Sequence, residues 1–128
     1  MEKGKLKIPL KLHWELHEIK EKIGDKAPIN TIFTARENTN KRAEIQINPN
    51  DTEDDFVTSR ILWLDGLENG INRGVGVDSY SRYIYIHGTH EEGLIGQKAS
   101  HGCIRMFNND VIELFDMVSK GTKVQIRA

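Results

Sequence analysis

The sequence predicts a mainly β domain, sandwich or barrel-like, with one helix near the C-terminus. Three observations carry that expectation. Apolar residues alternate in short stretches at the strand period, as at Leu10, Leu12, Trp14 and Leu16. Two stretches, "FVTSRILWL" and "SRYIYIHG", are rich in β-branched and aromatic residues. A single stretch, "NNDVIELFDMV", carries helical spacing.

Taken in order, "LKLHWELHEI" reads as a strand, although Ile19 and Ile23 at wider spacing leave a helical turn open at its end. "AEIQINP" offers a short alternating strand stopped by Pro49, and "NPNDTEDD" is a turn-rich acidic loop. "FVTSRILWL" reads as a strand closed by Asp65-Gly66. "LENGINRGVGVDS" has few large apolar residues and reads as a long loop; it lacks the GxxxxGK[ST] spacing of a phosphate cradle. "SRYIYIHG" is the strongest strand, with His87 and Gly88 at its end. "THEEGLIGQKAS" is polar, twice broken by glycine, and reads as a mobile flap. In the helix, Asn108 or Asn109 is placed to cap, Val111, Leu114, Phe115 and Val118 form the apolar stripe, and Gly121 marks the end. "TKVQI" returns as a last strand. The pattern lacks the strand-helix alternation of a parallel sheet.

Length and composition fit one domain over residues 1–128. With 38 % hydrophobic residues the chain can build one core, burying roughly two thirds of its extended surface. The 18 basic and 19 acidic residues nearly cancel, so no basic surplus argues for nucleic acid. The basic start, "MEKGKLKIPLK", reads as a solvated end. No stretch reaches the roughly 18 apolar residues of a membrane span. No apolar run of the roughly 7–15 residues that a secretory leader needs follows Met1. The chain is therefore cytosolic or is given without its leader.

The one cysteine, Cys103, follows Gly102 and stands two residues after His101. Three readings are open. A lone cysteine can be a small buried hydrophobe. His87, His90, His101 and Cys103 are also a possible zinc ligand set, although two of them are one residue apart. A nucleophile needs a base to take its proton, a third group to orient that base, and donors for an oxyanion. Histidines at glycine-flanked turns favour this third reading. The N–H groups of Gly102 and Cys103 suit an oxyanion hole, and Arg105 suits a substrate carboxylate. Spacing alone does not decide whether His87 or His101 is the base. His13 and His17 read as packing or surface residues.

"IHGTH" followed by "SHGCIRMFNND" resembles the signature of the L,D-transpeptidase catalytic domain family. The match runs over His87, Gly88, Thr89, Ser100, His101, Gly102, Cys103, Ile104, Arg105, Met106 and Asn108, and more loosely from Ile32 to Ile126. The resemblance implies a mostly β fold acting on peptidoglycan stem peptides in the cell envelope or periplasm, without metal or organic cofactor. It implies a cysteine that attacks the carbonyl of the third stem residue, expels D-alanine and forms a thioester, which a neighbouring amine resolves as a 3→3 crosslink. Carried onto this chain, Cys103 is the nucleophile and His87 the base, with the Gly88 carbonyl orienting the imidazole. His101, Gly102 and Ser100 shape the site and the oxyanion hole, Arg105 supports the loop or meets a substrate carboxylate, and Thr89 and Tyr85 face substrate. Glu91 and Glu92 in the flap are placed by their charge to attract substrate amino groups. Two alternatives accompany this reading: a carboxypeptidase or hydrolase with water as acceptor, and an inactive wall-binding relic. The second arises because Lys11 in "KIPLKLHWELHEI" replaces a family glycine and the opening strands of the family are expected to be missing.

Overall fold

The computed structural model describes residues 14–49, 51, 52, 54–96 and 103–127. The seven strands are β1 (Trp14–Ile23), β2 (Thr31–Thr34), β3 (Glu37–Arg42), β4 (Val57–Gly66), β5 (Tyr85–Thr89), β6 (Ile104–Met106) and β7 (Lys123–Arg127), with one helix, α1 (Asn108–Met117). The mainly β expectation holds. The strands form one sheet in the order β3-β2-β4-β1-β7, and β5 and β6 branch from β4. All pairs are antiparallel except β5 with β6.

β4 is the spine. Its ten residues pair with β1 and β2 along one edge and β5 along the other. Strand alternation then builds two cores from one strand. Leu62 and Leu64 face α1, where they meet Ile19, Ile84, Ile86, Val111 and Phe115. Ile61 faces the opposite side with Phe33 and Tyr85, against which Trp63 and Cys103 pack. The helix stripe predicted from spacing lies where expected: Val111 and Phe115 are buried, and Leu114 and Val118 pack against that core.

Several local expectations are corrected. β1 stays extended to Ile23, with a bulge between Ile19 and Glu21 instead of a helical turn. Among its described side chains, His17 and Ile19 are fully buried and Leu16 is half-buried, and His17 Nε2 meets Ser79 Oγ at 2.8 Å beneath the long loop. His17 is thus a packed residue, whereas His13, Leu10 and Leu12 lie outside the described residues. "AEIQINP" is not a strand. Gln46 instead exchanges backbone hydrogen bonds with the loop after β5, donating to His90 and accepting from Gly93. The strand pair before it is β2–β3, closed by a two-residue turn at Ala35 and Arg36. β5 starts at Tyr85, because residues 81–83 form turns and Tyr83 is left-handed at φ 59°. Neither Asn108 nor Asn109 caps α1. Phe107 holds the N-cap position without a side-chain bond, and Glu92 Oε2 receives the Asn108 N–H at 2.8 Å.

Leu62 has no exposed surface in the helix-facing core, so Leu62→Ala should lower stability by about 2–5 kcal/mol in urea unfolding. Ile47→Ala, at a position 78 % exposed, should stay within about 0.5 kcal/mol of the parent.

Candidate active site

The site is made by the parallel pair. Ile86 pairs with Ile104, and His87 with Arg105. Laterally paired residues of a sheet share a face. Ile86 and Ile104 therefore point into the helix-facing core, while Tyr85, His87, Cys103 and Arg105 belong to the other side. Cys103, one residue before β6, comes against the start of β5. Its Sγ lies 3.5 Å from the Tyr85 N–H donor and 3.4 Å from the Tyr83 carbonyl, to which the thiol donates.

His87 is almost fully buried, and its Nδ1 donates to the Gly88 carbonyl at 2.5 Å. That bond places the proton of the neutral ring on Nδ1 and leaves Nε2 as the basic nitrogen. Burial is the main influence on both groups. It pushes the His87 pKa down from its ordinary value, against the Gly88 bond and Asp55, which favour the imidazolium. It pushes the Cys103 thiol up, against the Tyr85 N–H, which favours the thiolate; Asp55 adds to the rise. Both shifts favour the neutral forms, a thiol and an uncharged imidazole, over an ion pair. Asp55, exposed on the loop before β4, is a contributor that the motif does not contain.

Asn108 holds this arrangement from behind. Its Oδ1 accepts from Thr58 Oγ1 at 2.6 Å and Ser59 Oγ at 2.5 Å. Its Nδ2 donates to the Thr89 carbonyl and to Glu92 Oε2, both at 2.8 Å. One buried amide thus joins β4, the end of β5, the following loop and the start of α1. Gly88 sits against it so closely that a Cβ would lie 2.6 Å from Asn108 Oδ1 and from the Thr58 carbonyl oxygen. The partners Thr58 and Ser59 occupy a bulge of β4, with Ser59 left-handed at φ 69°. Bulges commonly re-aim strands beside active sites.

Other expected site residues stand differently. Thr89 is fully buried and its hydroxyl accepts the Glu91 N–H. Glu91 and Glu92 are not free flap charges. Glu91 is buried, meets Arg105 Nη1 at 3.3 Å and accepts from the Thr52 N–H at 2.8 Å, while Glu92 is engaged by Asn108. Arg105 is therefore tied to the loop after β5. Tyr85 is mostly buried, and its hydroxyl accepts from Arg36 Nη1 at 3.0 Å. His90 meets Thr52 Oγ1 at 2.8 Å and packs on the Phe56 ring at 4.7 Å. Among the described residues, no three His, Cys, Asp or Glu side chains gather to hold a metal ion. Ser100, His101 and Gly102 lie outside the described residues, as does the last part of the expected flap.

The L,D-transpeptidase catalytic domain model matches residues 16–126, nearly the whole of this fold and all of the site. The chain belongs to the L,D-transpeptidase catalytic domain family. Its similarity to curated members is confined to shorter stretches. The Bacillus subtilis (strain 168) protein YkuD, whose name as an L,D-transpeptidase is provisional, is 56 % identical over 41 residues, covering 32 % of this chain and 25 % of that protein. YqjB from the same organism, also provisionally named an L,D-transpeptidase, is 42 % identical over 57 residues, covering 42 % and 32 %. The probable L,D-transpeptidase YcfS of Escherichia coli (strain K12) is 37 % identical over 62 residues, covering 48 % of this chain and 19 % of that protein. The matched stretches thus span a third or less of these relatives. No solved structure matches the chain significantly. Among the described residues, no helix is long and apolar enough to cross a membrane.

Two outcomes follow from the geometry. Asn108→Ala leaves two buried hydroxyls, a carbonyl and a carboxylate short of a partner, and should cost at least about 2 kcal/mol in urea unfolding. Asn108→Asp, equal in size, should also destabilise, because it replaces the Nδ2 donor facing Glu92 with a second acceptor. The raised thiol gives the second outcome: iodoacetamide labelling of Cys103 should accelerate steadily between about pH 6 and 9. A preformed thiolate–imidazolium pair would give a plateau over that range instead.

Proposed function

We propose that this chain is a cysteine-dependent L,D-transpeptidase acting on peptidoglycan stem peptides in the cell envelope. The observation that carries the reading is the β5–β6 pairing, which brings Cys103 and a neutral, Gly88-oriented His87 to the same side of the sheet. Cys103 Sγ attacks the carbonyl carbon of the third stem residue as its proton passes to His87 Nε2. The oxyanion is received by backbone N–H groups, for which Gly102 and Cys103 are the candidates. The tetrahedral intermediate breaks its C–N bond, and the departing D-alanine amine takes the proton back from His87. A thioester remains. The amine of a second stem then attacks it, gives its proton to His87, and releases Cys103, which is reprotonated as the C–S bond breaks.

A neutral starting pair suits this sequence, because a protonated imidazole would have no capacity to accept the thiol proton. Arg105 and Asn108 act as positioning residues in this reading. Arg105 fixes β6 to the loop after β5 through Glu91, and Asn108 fixes the end of β5.

The test is incubation with a stem tetrapeptide ending in D-alanine, with an amine acceptor present, and mass analysis of the products. The expected products are free D-alanine and a crosslinked dimer. Cys103→Ala should abolish both, and His87→Ala should lower the rate by roughly 10²–10⁴-fold, the usual contribution of a positioned base. Release of D-alanine with a free tripeptide and no dimer would assign water as the acceptor. Turnover surviving in Cys103→Ala would overturn the mechanism.

A further inference from the structure

The turn between β2 and β3 places two non-glycine residues, Ala35 and Arg36, in left-handed conformations at φ 48° and 70°. Such conformations persist only where the surroundings hold them. Here the hold is on Arg36. Its Nη1 donates to the Tyr85 hydroxyl at 3.0 Å, and its guanidinium carbon lies 5.0 Å over the Trp63 ring and 4.8 Å over the Tyr83 ring. The rings brace one another, with Tyr85 edge-on to Trp63 and Tyr80 stacked on its face. The guanidinium is thereby set in a fixed place.

Two residues link that place to the thiol. Tyr83 and Tyr85, whose side chains hold Arg36, are also the residues whose backbone meets Cys103 Sγ. An open groove of about 410 Å³ adjoins it, lined by Phe33 and Ala27, which belong to the same apolar cluster as Cys103, and by Arg36. Lys26, Asp25 and Glu37 also line the groove, so its formal charge is balanced and selectivity has to come from an individual group. Among the described residues no carboxylate pairs with Arg36, although a guanidinium offers five donors in a fork that fits a carboxylate.

We propose that Arg36 is a specificity-determining residue that binds a carboxylate of the acyl-donor peptide, with the adjoining groove holding that arm of the peptide. The inference rests on the acyl-transfer reading above for the position of the scissile carbonyl at Cys103. An extended peptide advances about 3.3–3.6 Å per residue. A guanidinium one tyrosine side chain away from the thiol is therefore reached from a residue next to the scissile one. On one side of that residue lies the leaving D-alanine, on the other the arm retained in the thioester, and the proposal assigns the carboxylate to the retained arm, on the residue before the scissile one.

The test reads binding without turnover. Cys103→Ala protein is titrated calorimetrically with two stem tetrapeptides ending in D-alanine. They are alike except that the residue before the scissile one bears a free carboxylate in one and its amide in the other. The acid should bind roughly ten- to a hundredfold more tightly, the range for a hydrogen bond to a charged group. Arg36→Gln in the same background should erase the difference, and Arg36→Lys, which keeps the charge but loses the fork, should retain part of it. Equal affinity for both peptides, no binding of either, or a preference that survives Arg36→Gln would overturn the proposal. A protein that discriminates the peptides yet transfers no acyl group would refute the reaction and leave this subsite standing.

Discussion

The amide of Asn108 is the constraint on which the site depends. All four of its hydrogen-bonding positions are used, two by hydroxyls on the β4 bulge and two by acceptors beyond the end of β5. A buried amide in this position is costly unless every partner is in place, so it enforces one arrangement of four chain segments. Gly88 is the complement: only a residue without Cβ lets β5 lie this close to Asn108 and Thr58. The Gly88 carbonyl, held there, is the atom that orients the His87 ring. The histidine's tautomer is thus set by a hydrogen-bond network centred on a residue that does not touch the reacting atoms.

A second constraint is the sharing of β4 between two faces. Leu62 and Leu64 build the core under α1, and Ile61 and Trp63 build the floor of the site. The helix buries the back of the sheet, which leaves the other side to carry polar chemistry against apolar neighbours. That burial has an electrostatic result: both His87 and Cys103 are biased toward their neutral forms. Burial thus disfavours a standing thiolate at Cys103, and in the proposed reaction the proton would leave as the sulfur attacks. The Arg105–Glu91 and Asn108–Glu92 contacts show the same economy of charge, since the acidic side chains of the loop after β5 are consumed in holding that loop to β6 and α1.

Much of this was legible in the sequence because it rests on strong local patterns. The β4 and β5 strands, the α1 stripe and the last strand follow from β-branched and aromatic runs and from helical spacing. The β2–β3 hairpin was not legible, because "TIFT" is short, "ENTNKR" is polar, and the turn uses Ala35 and Arg36 where Asn-Gly or Asp-Gly would signal it. The same gap hid Arg36 from any reading of the site. The fold brings the motif residues Tyr85, His87, Cys103 and Arg105 to one side of the sheet, yet spacing could not separate residues that face that side from residues that hold it. Thr89 and Glu91 look like exposed polar flap residues in sequence, and tertiary contacts turn both inward. His17 was hidden for a similar reason: its burial depends on Ser79, 62 positions away.

The central claim is that Cys103 is a nucleophile activated by His87 within a site able to stabilise an acyl intermediate. The most direct measurement is intact-protein mass spectrometry after mixing the chain with a carbapenem, a class of β-lactam that acylates the cysteine of this family. The account predicts one adduct of the full carbapenem mass, located by digestion on the peptide containing Cys103, absent from Cys103→Ala and slower to form in His87→Ala. Because the sequence contains a single cysteine, the assignment is unambiguous. A folded protein that gains no adduct, or an adduct that persists in Cys103→Ala, would contradict it.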